Sequence, residues 1–293
     1  MQKKQRERID KSRKPGSLPY VWKGVSKNPG AMVGLTLIAL ILILCFISPL
    51  ILKYDYWAIS MRNRFAPPNR EHLFGCDQLG RDILARVLYG ARFTLAIGVG
   101  AVAISSFFGV LIGSCAGYFG GKVDFFLTRV LDIIQSFPGM VSSIAITAIL
   151  GAGFGKCIIA IGIGFTPPFA RLMRANMLSI RGTEFIEAAH AINCSTLRII
   201  LKHMLPNSIS PIIVLMSIQI GLAGLTASAL SFLGLGVREP MPEWGAMIAA
   251  SREFMRESPH MVFIPGLFIK ITVLSLNMVG DAIRDALDPR LKD

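Results

Sequence analysis

The run from Gly151 to Cys157, Gly-Ala-Gly-Phe-Gly-Lys-Cys, is the stretch of this sequence that comes nearest to a phosphate-binding loop. In such loops backbone N–H groups surround the phosphates, a lysine reaches them, and a Ser or Thr hydroxyl binds magnesium. Here the first glycine lies one residue too close to the Gly-Lys pair, and Cys157 stands where the hydroxyl is required. No pattern of a buried strand precedes the run. The sequence therefore predicts a turn between two helices, and no ATP binding by this chain itself.

Other residues that could catalyse a reaction or bind a metal are too scattered to form a site. The histidines are His72, His190, His203 and His260, and the cysteines are Cys45, Cys76, Cys115, Cys157 and Cys194. No Cys-x-x-Cys pair, His-Glu-x-x-His motif or Gly-x-Ser-x-Gly motif is present. The sequence therefore predicts no catalytic residue, and neither a cofactor nor a metal site, on this chain.

The composition is that of a membrane protein. Hydrophobic residues make up 53% of the 293 residues and charged residues 17%, whereas soluble domains carry about 25% charged residues. The net charge of +13 would suggest nucleic-acid binding in a soluble protein, but nine Lys and Arg residues lie within the first 30 positions. A basic cluster directly before a long apolar run is typical of a cytoplasmic membrane anchor. We therefore expect membrane lipid, and no nucleic acid, around this chain.

Charge-poor windows predict an all-α integral membrane protein with about six transmembrane helices, because roughly 20 apolar helical residues cross a bilayer. The windows are residues 31–52, 93–121, 133–155, 157–177, 204–237 and 261–283. The first is too long for a signal peptide and no cleavage site follows it, so we expect a retained span. Six spans put both termini on one side of the membrane, and the basic N-terminus predicts that this side is cytoplasmic.

This topology predicts five segments. They are a cytoplasmic basic segment (1–30), a first transmembrane helix (31–52), an extracytoplasmic segment (53–92), a five-helix core (93–285) that includes a cytoplasmic loop (182–207), and a cytoplasmic tail (286–293). Seven Lys and Arg residues between Lys53 and Arg92 count against an extracytoplasmic position. The charge of the N-terminus usually dominates orientation, so we keep the assignment.

The extracytoplasmic segment contains apolar residues at helical spacing, which are Leu79, Ile83, Leu84, Val87 and Leu88. Asp77 and Asp82 precede Arg81 and Arg86 by four residues, the favourable order for ion pairs on a helix. We therefore predict an amphipathic helix on the membrane surface, with the first turns of the second span as the alternative.

The second span itself carries a glycine at every fourth position, at Gly109, Gly113, Gly117 and Gly121. Such a stripe of small residues lets another helix approach closely in lipid and predicts a packed bundle. In the sixth span, Lys270 interrupts an otherwise apolar stretch. A lysine in the hydrocarbon region is costly and ordinarily marks a functional position. We expect it to face the bundle interior or a water-filled path, with outward extension to the membrane surface as the alternative.

The loop 182–207 has the pattern of two short helices joined by a tight turn. Thr183 is a candidate N-cap of the first helix, whose apolar face comprises Phe185, Ile186, Ala189 and Ile192. Asn193 tolerates the left-handed conformation that ends a helix, and Ser195 or Thr196 can begin a second helix that runs to Met204 and ends at Pro206. These features predict a rigid docking element; the alternative is a structured loop without a partner.

The same loop, from Glu187-Ala188-Ala189 through Leu205-Pro206, resembles the "EAA" loop of ABC importer permeases, with Asn193 where the family has glycine. The stretch Phe74–Asp82 is similar to the signature of dipeptide, oligopeptide and nickel permeases, with Cys76 in place of threonine. Three further segments resemble the C-terminal half of that family. They are Ser231–Val237, Glu243-Trp244-Gly245 and Gly280–Arg290.

The resemblance implies a type I ABC importer permease fold and the role of C-type pore subunit for di- or oligopeptides or a related peptide-like or metal-complex solute. It implies two cytoplasmic ATPases that hold ATP and magnesium, a homologous partner permease and an extracytoplasmic solute-binding protein, in a bacterial or archaeal cell membrane. It also implies that the ATPases are contacted by Glu187, Ala188, Ala189, Asn193, Leu205 and Pro206. Residues 238–260 would meet the binding protein or line the entrance.

Two other classes of membrane protein remain as alternatives. A secondary transporter or channel predicts intramembrane charged pairs or broken-helix repeats, and it would not need a docking loop. A membrane-embedded enzyme would need a catalytic pair, for which no candidate is present. The resemblance favours the importer and leaves its substrate open among peptides, nickel or metallophore complexes and glutathione-like molecules.

Overall fold

The computed structural model describes residues 18–287, so most of the predicted basic segment and of the predicted C-terminal tail lies outside the described residues. Between residues 18 and 287 the chain is helical, and no strand forms beyond an isolated bridge between Cys76 and Asp82. The helices are α1 Leu18–Val25, α2 Pro29–Ile51, α3 Ile83–Phe119, α4 Gly121–Gln135, α5 Gly139–Leu150, α6 Phe154–Gly164, α7 Thr166–Arg181, α8 Glu184–Ala191, α9 Thr196–Arg198, α10 Leu205–Ser208, α11 Ser210–Phe232, α12 Trp244–Ser251 and α13 His260–Leu287.

The prediction of an all-α protein with about six spans is confirmed. Within the described residues, five helical stretches are long and apolar enough to cross a membrane, and the bent pair α4–α5 gives a sixth. The third span, predicted at residues 133–155, begins earlier and is bent, since α4 and α5 meet at 85°. Pro138 stands at the break and disfavours helical geometry in the residue before it, so α4 ends at Gln135. The fifth span is shorter than predicted and covers residues 210–232.

Both ends of the described chain lie at the same end of the bundle. α3 and α13 begin side by side, because the Gly75 carbonyl accepts a hydrogen bond from Ile83 N (3.1 Å) and Gly75 contacts His260. Both helices therefore finish at the opposite end, where α1 packs against the last turns of α13. Val25 and Ala282 are buried in this contact. The bundle thus has one end formed by residues 52–82, here named the connecting segment, and an opposite end formed by both chain ends.

The glycine stripe of α3 is occupied by α7. A Cβ on Gly109 would lie 2.4 Å from Phe169 Cβ, and one on Gly113 would lie 2.3 Å from the Ala170 carbonyl oxygen. Gly117 is equally close to α7 one turn further on, at Met177 Cβ. The predicted close approach is confirmed at these positions. Gly121 differs, because it has no neighbour within 4 Å and lies in the left-handed region (φ +53°) where α3 turns into α4.

The predicted surface helix before the second span is the part of the structure that differs most from the sequence-based expectation. Helix begins at Ile83 and runs without a break to Phe119, and Val87 is completely buried. The Asp82 side chain caps this helix by accepting a hydrogen bond from Ala85 N (2.7 Å). Residues 83–92 are therefore the first turns of the long helix, which was the alternative interpretation.

The run 151–157 forms a turn between two helices, as predicted. Gly151 ends α5 and Gly153 precedes α6, each with a positive φ (+82° and +151°) that favours glycine. Cys157 is buried on α6 and faces the main core. That core lies between α3, α6, α7 and α11, and a second core around Trp244 joins α2, α3, α12 and α13.

Candidate functional site

The EAA loop comprises residues 182–207. Its first short helix, α8, packs against the main core. α8 buries Ile186 and Ala189, and these residues belong to the same cluster as Ile199 and Met204 from the second half of the loop. The Thr183 carbonyl accepts hydrogen bonds from the backbone at the start of α8, while its hydroxyl donates to the Ile180 carbonyl (2.7 Å). Thr183 therefore holds the predicted N-cap position without the predicted side-chain cap.

The turn between the short helices is left-handed at Asn193, with φ +57°, as predicted. Asn193 N donates to the His190 carbonyl (2.9 Å) and Cys194 N donates to the Ala189 carbonyl (3.1 Å). This arrangement closes α8 and reverses the chain. Asparagine here adopts the backbone conformation for which glycine is usually required.

The second half of the EAA loop is more continuous than the sequence predicts. α9 passes through a π-helical turn, Ile199–Met204, directly into α10, and Pro206 stands in the first turn of α10. The expectation that Pro206 ends the helix is wrong. Pro206 lacks the N–H that would continue the hydrogen bonding, yet helical geometry continues past it to Ser208.

Several large apolar side chains of the EAA loop point away from the core, at Phe185, Ile192, Leu197 and Leu201. Ile192 is 75% exposed and Leu197 is 66% exposed. Glu187 and Ala188, on the same short helix as Phe185, are exposed too. We name this set, with Glu187, the coupling surface. Several large exposed apolar side chains on one short loop make this surface a candidate interaction site.

The structure separates the predicted site residues into two groups. Glu187, Ala188, Ala189, Asn193, Leu205 and Pro206 lie together on the EAA loop, with Ala189 buried and Leu205 partly buried. Lys270 lies on α13, ten residues after its start, or about 15 Å along the helix from the connecting-segment end. Its side chain is exposed on the surface of this chain. Lys270 therefore does not face the interior of this chain's own helices, which leaves the predicted water-filled path or the alternative of outward extension to the membrane surface.

A cluster of buried charges holds the connecting segment onto the loop that precedes α12. Arg81 donates from Nε to Asp77 (2.6 Å) and from Nη2 to Glu239 (2.7 Å). Arg86, only 2% exposed, lies 3.5 Å from Asp77 and 3.6 Å from Glu239. The predicted Asp77–Arg81 pair therefore forms. The predicted Asp82–Arg86 pair does not, because Asp82 caps α3 and accepts from His72 Nδ1 (2.8 Å).

Cys76, which stands where related permeases have threonine, is buried inside this connecting segment. Burial raises the pKa of its thiol to about 11, with the Asp82 and Asp77 carboxylates acting in the same direction. The thiol therefore stays protonated at neutral pH, and Cys76 acts as a small buried side chain.

Glu243 is a buried carboxylate to which the sequence analysis assigned no role. It accepts hydrogen bonds from Thr94 Oγ1 (3.2 Å), Ser228 Oγ (3.1 Å) and Ala246 N (2.9 Å), and so joins α3, α11 and α12. Trp244 beside it donates from its indole to the Val87 carbonyl (2.8 Å). An acidic residue before a short helix could have indicated the cap, but its buried partners come from distant parts of the sequence.

Comparisons with known proteins identify the family to which this helical chain belongs. Residues 109–293 match the family described as the binding-protein-dependent transport system inner membrane component. The chain belongs to this permease family. Residues 19–68 also match the N-terminal transmembrane domain of oligopeptide transport permease C. This permease is thus a non-catalytic membrane subunit of an ABC transport system.

Individual relatives narrow the position of the permease within its family. It is 44% identical to the dipeptide transport system permease protein DppC of Alkalihalophilus pseudofirmus, over 92% of this chain and 89% of the relative. It is 41% identical to the glutathione transport system permease protein GsiD of Escherichia coli O157:H7, over 92% of this chain and 90% of the relative.

Solved structures show the same fold. The MetNI methionine ABC transporter in an inward-facing conformation matches 69% of this chain and 96% of its own chain, with a TM-score of 0.52 and 20% identity. An amino acid ABC transporter with histidines matches 67% of this chain and 91% of its own, with a TM-score of 0.52 and 15% identity. At these identities the likeness concerns the fold, which is that of type I importer permeases.

Proposed function

We propose that this permease forms one half of the pore of an ATP-driven importer for di- or oligopeptides or a related peptide-like or metal-complex solute. The relatives named for dipeptide and glutathione transport support this substrate class. Both solutes are short peptides with charged termini, so a common transport path is chemically reasonable.

The coupling surface is the observation that carries the assignment. Its apolar side chains are exposed while the residues beneath them, Ile186 and Met204, are buried in the main core. A surface whose outer side chains are apolar and whose inner side chains pack in the core can bind a protein partner and transmit its movement to the helices. We propose that this partner is one of two ABC ATPases, which carry ATP and magnesium. Glu187, Ala188, Ala189, Asn193, Leu205 and Pro206 form or shape the contact.

The remaining partners follow from the family. A homologous permease supplies the other half of the pore, and an extracytoplasmic binding protein delivers the solute near residues 238–260. Lys270 lies on the outer surface of this chain, so we place it on the solute pathway between the two permeases rather than inside one bundle. A lysine in that position would attract carboxylate groups of a passing peptide.

The proposed orientation has the EAA loop and both termini in the cytoplasm of a bacterial or archaeal cell. The EAA loop and both ends of the described chain share one end of the bundle, which supports a common side. The basic residues at the N-terminus support the cytoplasm as that side.

Co-purification tests the assignment directly. The tagged chain would be purified in mild detergent with its co-purifying proteins identified, alongside Glu187→Arg and the matched charge reversal Glu257→Arg at the other end of the bundle. We expect two ATPases and one sister permease with the natural chain and with Glu257→Arg, and loss of the ATPases with Glu187→Arg. A chain that is recovered alone and transports in vesicles without ATP would instead establish a secondary transporter.

A further inference from the structure

A cavity of about 270 Å³ opens where the first span meets the connecting segment. Its walls come from the end of α2, the chain that follows it, and the first turns of α3; they include Ser48, Leu52, Tyr54, Asp55, Tyr56, Trp57, Tyr89 and Arg92. None of these residues belongs to the coupling surface or to the buried charge cluster. We name this cavity the interfacial pocket.

The cation in the interfacial pocket has no anionic partner of its own. Among residues 18–287 no carboxylate lies within 4.0 Å of Arg92, whose Nη2 donates only to the Cys45 carbonyl (2.8 Å) and whose Nε is buried without a hydrogen-bond partner. The guanidinium lies over the ring of Tyr89, at 4.6 Å from its centroid, and over Phe46 at 5.4 Å. Two aromatic faces therefore hold a positive charge that still requires an anion.

The opposite charge is present among the residues that line the same cavity. Asp55 lines the pocket, is exposed, and makes no ion pair within the described chain. Tyr54, Tyr56 and Trp57 surround it in the sequence, and aromatic rings favour cations over their faces. The interfacial pocket therefore presents a site for an anion and a site for a cation within one cavity.

The position of the pocket relative to the membrane indicates which molecule carries both charges. α2, which is long and apolar enough to cross a membrane, ends at Ile51, so we place the pocket at the boundary between lipid and water, where Tyr and Trp are enriched. Directly below it, α2 presents exposed apolar side chains, at Phe46, Ile47 and Leu50, and Leu50 is 87% exposed. A ligand with a zwitterionic head and apolar chains would match the pocket and the surface beneath it.

We propose that the interfacial pocket binds the headgroup of a zwitterionic phospholipid, with its phosphate on Arg92 and its ammonium group beside Asp55. The acyl chains would lie along the exposed face of α2. Phosphatidylethanolamine has the required primary ammonium group, which can donate hydrogen bonds to the carboxylate.

Lipid binding to the assembled transporter tests this proposal. The complex would be delipidated in detergent, titrated with phosphatidylethanolamine or phosphatidylglycerol, and the bound lipids counted by native mass spectrometry. We expect phosphatidylethanolamine to bind more tightly, and Arg92→Gln to weaken it about tenfold, the scale of one lost charge-assisted contact. Arg70→Gln removes an exposed arginine of the connecting segment outside the pocket and should leave lipid binding unchanged.

A second variant keeps the test decisive if Arg92→Gln fails to assemble, since Arg92 also contacts α2. Asp55→Asn changes an exposed side chain and should abolish the preference for phosphatidylethanolamine over phosphatidylglycerol while lipid still binds. An unchanged preference would overturn the proposal. So would displacement of the lipid by millimolar inorganic phosphate, which would indicate a simple phosphate site, or by a dipeptide, which would indicate a site for the transported solute.

Discussion

The two ends of the helix bundle differ in what they bury and what they leave exposed. At the connecting-segment end, Asp77, Arg81, Arg86 and Glu239 satisfy one another, and the most buried of them, Arg86, has two carboxylates within 4 Å. At the EAA-loop end, large apolar side chains such as Ile192 and Leu197 remain exposed. A buried charge requires a partner inside the fold. An exposed apolar surface, in contrast, lowers the free energy of the system when another molecule covers it and removes it from water.

This difference separates structural residues from residues that await a partner. The charge cluster is complete within one chain, so folding alone accounts for the presence of its charged residues. The coupling surface is incomplete, because its large apolar side chains have no neighbour on one side. The same sequence resemblance thus covers one motif whose charges are paired within the subunit and one whose apolar side chains stay exposed.

Asp77→Ala should have the largest effect on stability. It removes the carboxylate shared by Arg81 and Arg86 and leaves two buried cations short of a partner, which costs about 3 kcal/mol. Thermal unfolding of the purified complex, followed by tryptophan fluorescence, measures this loss. Glu239→Ala should cost less than about 1 kcal/mol, because the Glu239 side chain is 41% exposed. Equal losses in the two variants would contradict the view that the cluster is centred on Asp77.

Ile192→Asp should leave the stability of the subunit within about 0.5 kcal/mol, because the side chain contacts solvent. It should weaken ATPase docking by about 2 kcal/mol, which is roughly thirtyfold in affinity. Thermal unfolding of the permease measures the change in stability, and binding of the purified ATPase to the permease pair in nanodiscs measures the change in docking. Met255→Asp is the control, since Met255 is an exposed apolar residue at the other end of the bundle. If Ile192→Asp leaves ATPase affinity unchanged, the exposed apolar side chains of the EAA loop do not form the ATPase contact.

Gly113→Ala should separate the helices that connect the two ends. The new Cβ would lie 2.3 Å from the Ala170 carbonyl oxygen, so α3 and α7 must move apart, at a cost of about 1.5 kcal/mol. Gly224→Ala on α11 has open space around its new Cβ and should be neutral or slightly stabilising. The melting temperatures of the two variants distinguish the close approach of α7 at Gly113 from the general effect of replacing a helical glycine by alanine. Equal melting temperatures would contradict a specific role for the stripe.

Asn193→Gly should have the smallest effect, within about 0.5 kcal/mol, because glycine adopts the observed φ of +57° freely. Solute uptake by whole cells should stay at its natural level. Asn193→Pro is the contrasting variant, since proline cannot adopt a positive φ and would lose the hydrogen bond to His190. Uptake should then be lost while the spans remain inserted, and retained uptake would argue against a rigid coupling turn.

The sequence predicted the spans and the turn at Asn193 because these depend on local properties, namely apolar length and backbone tolerance. It failed where a distant contact decides the local structure. The predicted surface helix included Leu79, but Gly80 has φ +70° and packs directly against the Ser60 carbonyl, which breaks any such helix before Ile83. The predicted Asp82–Arg86 pair is lost because Asp82 accepts hydrogen bonds from His72 and Ala85 instead. Gly80 is the local signal in the sequence that argues against a helix there.

Other features of the site depend on packing and could not be read from spacing. Glu243 is satisfied by hydroxyls 149 and 15 residues away in the chain, so its burial follows from the tertiary arrangement alone. The outward position of Lys270 likewise depends on which face of α13 packs against α2 and α11. Helical periodicity gave an apolar face for the EAA loop, but only the fold shows that Ile186 is inside and Phe185 outside.

The length of α3 has a mechanical consequence. Its 37 residues span about 55 Å, well beyond the roughly 30 Å of hydrocarbon, so one unbroken rod reaches from the connecting segment to the level of the EAA loop. α7, seated without a gap along the glycine stripe, leads directly into that loop and shares its movement with the rod. A tilt of about 5° would then displace the far end by roughly 5 Å. A movement imposed at the EAA-loop end would in this way be carried along α3 to the connecting-segment end.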